Sequence, residues 1–204
     1  MIRILSPVAY HRQPWKNGGG ITTEIAVHPE GAGWDDFQWR VGIAEIAQSG
    51  PFSAFPGVDR SIMLLDGAPG SGMSLTIDGT EVELARHEFV DFPGEAGALG
   101  TLRGAAVRDF NVMSRRALFT HRRGWSSLAP GQWLHLDGPH WRFVHVSAGA
   151  ADVVTTVRER RVGAAESLLT EGADTLNLRA GSSGAQLVWG VFTPAAPTQK
   201  GATA

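Results

Sequence analysis

Short hydrophobic runs alternate with turn residues along almost the whole chain. The runs at 61–65, 88–92, 109–113, 142–146, 152–157 and 186–192 are strand-length, and Leu75, Ile77 and Val82 are separated by polar residues within 73–84. Asp78-Gly79 inside that last stretch is a hairpin signal, because both residues tolerate the positive φ of a tight turn. Helical periodicity is scarce. Residues 114–119 and 163–169 have room for a turn or two, and nothing between the strands is long and periodic enough for a βαβ crossover. Short β-rich runs at regular spacing predict an antiparallel barrel or sandwich. Ala148-Gly149-Ala150-Ala151 and the stretch 181–184 read as turns, and 194–204 reads as a disordered tail.

An internal echo adds to this pattern. The segment 60–67 resembles 142–149, 92–95 resembles 169–172, and 109–113 resembles 188–192, all at offsets of about 80 residues. The expectation is two copies of one small β unit, the first rich in polar residues and the second plainer.

Composition narrows the chemistry. The chain has 204 residues, 43% of them hydrophobic, and a formal net charge of -2. That composition suits a folded chain rather than a disordered one. With two lysines, Lys16 and Lys200, and no net positive charge, the chain is a poor candidate for nucleic-acid binding, which draws on phosphate neutralisation. The absence of cysteine excludes disulfides, thiolate zinc sites and a Cys nucleophile. No apolar run reaches the length of a membrane span and the start lacks a signal-peptide core, so the expected compartment is the cytoplasm.

Candidate chemistry concentrates in the first 115 residues. In Pro14-Trp15-Lys16-Asn17-Gly18-Gly19-Gly20, three glycines offer unhindered backbone amides to an anion, with a charge and an amide beside them; a glycine-rich turn is the alternative. On a strand, Arg40 shares its face with Gln38, Gly42 and Ala44. It has room either to take a ligand carboxylate or to pair with a structural acid such as Glu24 or Glu45. The Pro- and Gly-rich loop 50–57, anchored by Phe52 and Phe55, delivers Arg60 to a strand mouth; an Asp59–Arg60 pair that fastens the loop is the alternative. Asp109, Asn111 and Met113 share a strand face that points either into a barrel or to solvent.

No metal set is visible. His-x-His is absent, His87 stands alone, and His135, His140 and His145 recur at a spacing that puts neighbours on opposite strand faces. His11, His28 and His121 read as solvated. The serines lack a neighbouring base or elbow motif. Arg115, Arg116, Arg122 and Arg123 read as a solvated face. Of the seven tryptophans, Trp15 is expected at the ligand and the others mostly in the core.

The ordered set formed by Pro14 through Gly20, Glu24, Trp39-Arg40, Gly50-Pro51-Phe52-Ser53, Phe55-Pro56-Gly57, Asp59-Arg60, Phe92-Pro93-Gly94-Glu95 and Asp109-Phe110-Asn111-Val112-Met113 closely resembles the HutD/Ves family, which is cupin-like. The resemblance covers about residues 1–115. It implies an all-β bicupin with little helix: a first barrel at 1–120 that holds a ligand pocket, and a second, plainer barrel at 121–193. It also implies a regulatory link to histidine utilisation through a small acid such as N-formylglutamate or urocanate, and suggests a homodimer. Gly42 where serine is expected, and Glu95 where aspartate is common, depart from the family pattern.

The expected site follows. Arg40, Arg60 and Lys16 supply charge, Asn17, Glu24, Asp109 and Asn111 orient, and Trp15 and Phe52 form apolar walls. No cofactor is expected. A metal-free acid–base enzyme using Lys16, Glu24 or Asp109 as base is the second reading.

Overall fold

The computed structural model describes residues 2–15, 18–138, 140–155, 159–172 and 175–196. Among them the chain is all-β, with a single 3-10 turn at Pro7–Ala9. The strands are β1 (Ile2–Leu5), β2 (His11–Pro14), β3 (Gly20–His28), β4 (Trp39–Ile46), β5 (Gly50–Pro51), β6 (Val58–Gly67), β7 (Gly72–Ile77), β8 (Thr80–Glu83) and β9 (Phe89–Pro93). They continue with β10 (Ala98–Arg103), β11 (Val107–Arg115), β12 (Phe119–Leu128), β13 (Trp133–Leu136), β14 (Trp141–Val154), β15 (Glu159–Gly163), β16 (Ser167–Glu171) and β17 (Leu176–Pro194). The two stretches with room for helix are not helical. Residues 114–119 make the turn from β11 to β12, and 163–169 make the turn into β16.

Pairing is antiparallel within three open sheets. One runs β2-β3-β4-β11-β6-β9, a second β5-β10-β7-β8, and a third β1-β16-β14-β17-β12 with β13 on β17 and β15 on β14. The first two sheets enclose a core of Ile46, Ile62, Leu64, Met73, Leu75 and Val107. Within the third, Val144, Val146, Val153, Leu168, Leu178 and Leu187 form a second core. The opposite face of the six-stranded sheet carries Trp39, Val41, Phe110 and Val112, which pack on Phe143, Val188 and Phe192 of the third. β1 reaches over to pair with β16, so the first residues of the chain belong to the second half.

The echo is realised as topology. The order β9-β6-β11-β4 matches β16-β14-β17-β12. The order β5-β10-β7-β8 matches β13, the first part of β17, the last part of β14, and β15. What are separate strands in the first half (β6 and β7, β10 and β11) are fused in the second into the 14-residue β14 and the 19-residue β17. The segments expected as turns at 148–151 and 181–184 are therefore bends inside these strands. Gly149 at φ 74° and Gly184 at φ 77° bend the chain without ending the ladder. The register corrects one alignment. Matching 109–113 to 188–192 sets Asn111 against Gly190. Met113 pairs with Arg60, however, and Val191 with Arg142, so Asn111 corresponds to Trp189.

Other expectations are corrected by burial. His28 stacks on Trp39 at 5.5 Å, and His121 bonds Ser61 and Ser114 at 2.8 and 2.7 Å, so neither is a solvated loop residue. Both lie where the halves meet, and burial pushes both imidazoles below their ordinary pKa. Asp78 and Gly79 turn the hairpin from β7 to β8 with φ of 47° and 84°. Pro194 closes β17, and Ala195 N–H donates to Leu118 O at 2.8 Å, so the start of the stretch expected as a tail is held by the fold; residues 197–204 lie outside the described residues, as do 156–157 of the run at 152–157.

Candidate functional site

A cavity of about 590 Å³ opens inside the first half, walled by β2, β3, β4, β6 and β11 of the six-stranded sheet and by β5, the loop after it and Trp34. The expected residues Trp15, Glu24, Arg40, Phe52, Arg60 and Asn111 line it. Lys16 and Asn17 lie outside the described residues. Asp109 is fully buried and stands behind the lining rather than in it.

Strand alternation builds the wall. Asn111 and Met113 on β11 face the cavity, with Gly42 and Arg40 beside them on β4, and Ile62 and Arg60 on β6. This settles the face that Asp109, Asn111 and Met113 share: it points inward. Arg40 pairs with Glu24 of β3, and its guanidinium stacks on the Trp34 ring at 3.6 Å. Arg40 is thus paired with a structural acid, and it also lines the cavity. Burial lowers its pKa, against the opposing pull of Glu24.

Arg60 is 5% exposed. It donates to Ser53 O at 3.2 Å and sits among the rings of Phe52, Phe55 and Phe92 at 5.4, 5.4 and 5.1 Å. Its Nε has no hydrogen-bond partner. Burial lowers its pKa to about 10, with Asp109 pulling the other way. Asp59 does not pair with Arg60; it binds Arg116 at 3.0 Å, as Glu95 does at 2.6 Å. Glu95 is thus an exposed clamp on Arg116, away from the cavity lining. Neither Asp109 oxygen accepts a hydrogen bond of full geometry. Burial pushes this carboxyl up to about 7, opposed by Arg60, the Asn111 side chain and the Ala44 backbone.

Glycine has a structural use here that differs from the anion-cradle reading. Gly18 turns the β2–β3 hairpin at φ 71°, and a Cβ on Gly20 would collide with the Glu45 carbonyl of β4 and crowd the Trp15 ring at 3.2 Å. The glycines seat Trp15, whose Nε1 donates to Thr22 Oγ1 at 2.8 Å, and they do not line the void. A Cβ on Gly42 would lie 2.9 Å from Thr23 O, so that glycine serves close strand approach as well as space.

Sequence reasoning missed Gln13, Trp34, Phe55 and Met113 in the lining. Met113 was legible from its face. Trp34, in a polar loop outside any motif, carried no signal. A second hollow of about 330 Å³ shares Gln13, Glu24, Trp34 and Arg40 with the first, so the Arg40–Glu24 pair and Trp34 form a partition.

Among the described residues, no cluster of three His, Asp or Glu side chains is arranged to hold a metal. His135 is exposed beside Asn177 at 2.6 Å, and His145 is buried against Ser167 at 2.9 Å. The four arginines read as a solvated face are engaged. Arg115 donates to Phe37 O at 2.7 Å, Arg116 and Arg123 are ion-paired, and Arg122 donates to Asp137 O at 3.2 Å. No helix among the described residues is long and apolar enough to cross a membrane.

Fold and cavity together define a cupin-like all-β protein with a hollow, guanidinium-lined first half. A cupin from Leptotrichia buccalis shares the fold at TM-score 0.58 and 10% identity, over 85% of this chain and 89% of that one. More specifically, the chain belongs to the HutD family, whose model matches residues 8–188. HutD from Pseudomonas fluorescens SBW25 is 30% identical at TM-score 0.79, over 96% of this chain and all of that one. A conserved protein of unknown function from Pseudomonas aeruginosa PAO1 superposes at TM-score 0.85 with 28% identity, over 96% and 100% of the two chains. An uncharacterized 21.2 kDa protein in the hutC 3' region of Pseudomonas putida is 40% identical over 61% of this chain, and the match spans 64% of that relative. Protein Ves of Citrobacter koseri is 42% identical over 50% of this chain and 52% of its own length.

Proposed function

We propose that the first-half cavity binds a small carboxylate metabolite, and that the protein is a binding and regulatory component of histidine utilisation, not a catalyst. The observation that carries this reading is Arg60, a buried guanidinium on the wall of a 590 Å³ void with its Nε unpartnered. A buried charge-assisted donor left open is costly unless something fills it. Arg60 takes the carboxylate. Trp15, Phe52 and Phe55 contact the apolar part. Arg40 and Glu24 meet a second polar group. Lys16 and Asn17, outside the described residues, belong to the proposed set on the sequence reading alone. Two charge-assisted contacts of about 1.5–3 kcal/mol each suffice for roughly micromolar affinity. N-formylglutamate and urocanate are the acids of choice, on the strength of the family name and of the hutC-region relative. The repeated topology is read as two barrel units meeting near residue 120. A cytoplasmic location and a homodimer are part of the same proposal.

Asp109, pushed up to about 7, favours a metal-free acid–base enzyme as the second reading. It stands behind the lining and not in it, and binding is therefore preferred.

Calorimetry with both acids tests the proposal, with Arg40→Ala and Arg60→Ala as controls. Binding without consumption of ligand, lost in Arg60→Ala, is expected. Turnover, or undiminished affinity in both variants, overturns it.

A further inference from the structure

We propose that Trp34 limits the length of the acid this site accepts, as a fixed end wall that admits a short acid anchored on Arg60 and turns a longer one away. The inference rests on the acid-binding reading above and adds a size limit to it.

On β4 the floor of the cavity is Ala44, Gly42 and Arg40, alternate residues of one strand face that together span about 13 Å. Each end of that span carries a tryptophan. At the Ala44 end, Trp15 donates to Thr22, and Thr22 pairs with Ala44. At the Arg40 end, the Trp34 ring lies on the guanidinium at 3.6 Å. Across the sheet, Met113 pairs with both Arg60 and Arg40, so the two arginines stand two strand spacings apart, about 10 Å, on the same face. Phe55 lies between Arg60 and Trp34, 5.4 Å from each, and continues the wall from one to the other. A ligand held at its carboxylate by Arg60 thus runs over Met113 and meets Trp34.

Beyond Trp34 there is room. The neighbouring hollow of about 330 Å³ is lined by the small residues Gly31, Ala32 and Gly33, with His11 of β2 beside them. The wall between the two spaces is tied at its backbone. Arg115 of β11 donates to Phe37 O at 2.7 Å and also to the carbonyls of Trp34 and Asp35, so the loop between β3 and β4 is held at the residue that carries the indole. Arg40 has Glu24 as its ion-pair partner independently of that ring. Loss of the indole therefore opens the wall while the loop and the arginine keep their anchors.

The consequence is a cut-off in chain length. Each methylene buried against apolar wall tightens binding about fourfold. That gain ends where the chain meets the indole, because a wall held in place has to be displaced to admit the next carbon. With the indole removed, the chain runs on into the second hollow and the gain continues.

The test is calorimetry of the full chain, parent and Trp34→Ala, with butanoate, hexanoate, octanoate, decanoate and N-formylglutamate. The parent should bind best at a short acid of the straight-chain series and lose at least about tenfold at a longer one. In Trp34→Ala the optimum should move to a longer acid. Octanoate or decanoate should bind at least about tenfold more tightly than to the parent, with butanoate changed less than about threefold. If Trp34→Ala does not fold, Trp34→Leu should move the optimum in the same direction by a smaller step. Three results overturn the inference and leave the acid-binding reading standing: affinity of the parent that climbs through decanoate, an optimum in the variant identical to the parent's, or N-formylglutamate bound while neither protein binds a straight-chain acid. No binding of any of these acids by the parent or the variant overturns both.

Discussion

Trp189 occupies in the second half the register position that Asn111 holds in the first. Asn111 lies opposite Gly42, and the space above that glycine is part of the cavity. Trp189 lies opposite Gly124, and its ring covers that glycine so closely that a Cβ there would collide with it. Its Nε1 donates to Ser126 Oγ at 3.1 Å. One step along the same face, Asp109 is matched by Leu187. Arg40 and Arg60 are matched by Arg122 and Arg142, and Arg142 donates to Gly172 O at 2.8 Å. The same strand frame thus holds a cavity with polar groups in its wall in one half and a packed apolar core in the other.

Asn111→Trp should plug the first cavity as Trp189 plugs the second. Acid binding should fall by at least about a hundredfold, with the melting temperature within a few degrees of the parent. Calorimetry and thermal melts check this. A variant that folds and binds normally would mean that the ligand sits elsewhere.

Trp189→Ala should remove the plug without creating a site, because the carbonyl-bound Arg142 is not free to take an anion. The loss of half-buried ring packing should cost about 2–4 kcal/mol in denaturant unfolding. Gly124→Ala should also destabilise, by about 1–3 kcal/mol, since the ring must move.

Arg40→Ala should cost about 3 kcal/mol, because it leaves the largely buried Glu24 without its cation. Glu24→Gln with Arg40 intact should cost less. Equal losses in the two single variants, measured by chemical denaturation, would contradict that ranking.

His145 gives a pH signature independent of the ligand. Burial, with Arg108 adding to it, lowers its pKa to about 4. Its stabilising contribution is complete above the unfolded value of about 6.5 and disappears as the pH falls towards 4, because the unfolded chain binds the proton first. The full effect is about 3 kcal/mol. His145→Leu should flatten this part of the stability profile. Asp109 acts in the opposite sense: its raised pKa favours the fold below the native value of about 7, and that contribution is lost as the pH rises through it.

Local sequence was sufficient for much of this protein. Alternation placed Asp109, Asn111 and Met113 on one face, the Asp-Gly turn placed the β7–β8 hairpin, and the spacing of about 80 residues revealed the duplication, because each depends on the geometry of adjacent residues. Tertiary structure alone decided the rest. In sequence the alignment of β11 with β17 is one residue out of register, and it is fixed only by hydrogen bonding to β6 and β14; a slip of one exchanges the two faces. Whether Arg40 pairs with Glu24, whether Trp34 reaches it, and whether Asp109 is cut off from water depend on residues brought together from distant parts of the chain. Charge and pattern along a strand specify which way a side chain points, but the void it points into exists only once strands and loops from distant parts of the chain have come together around it.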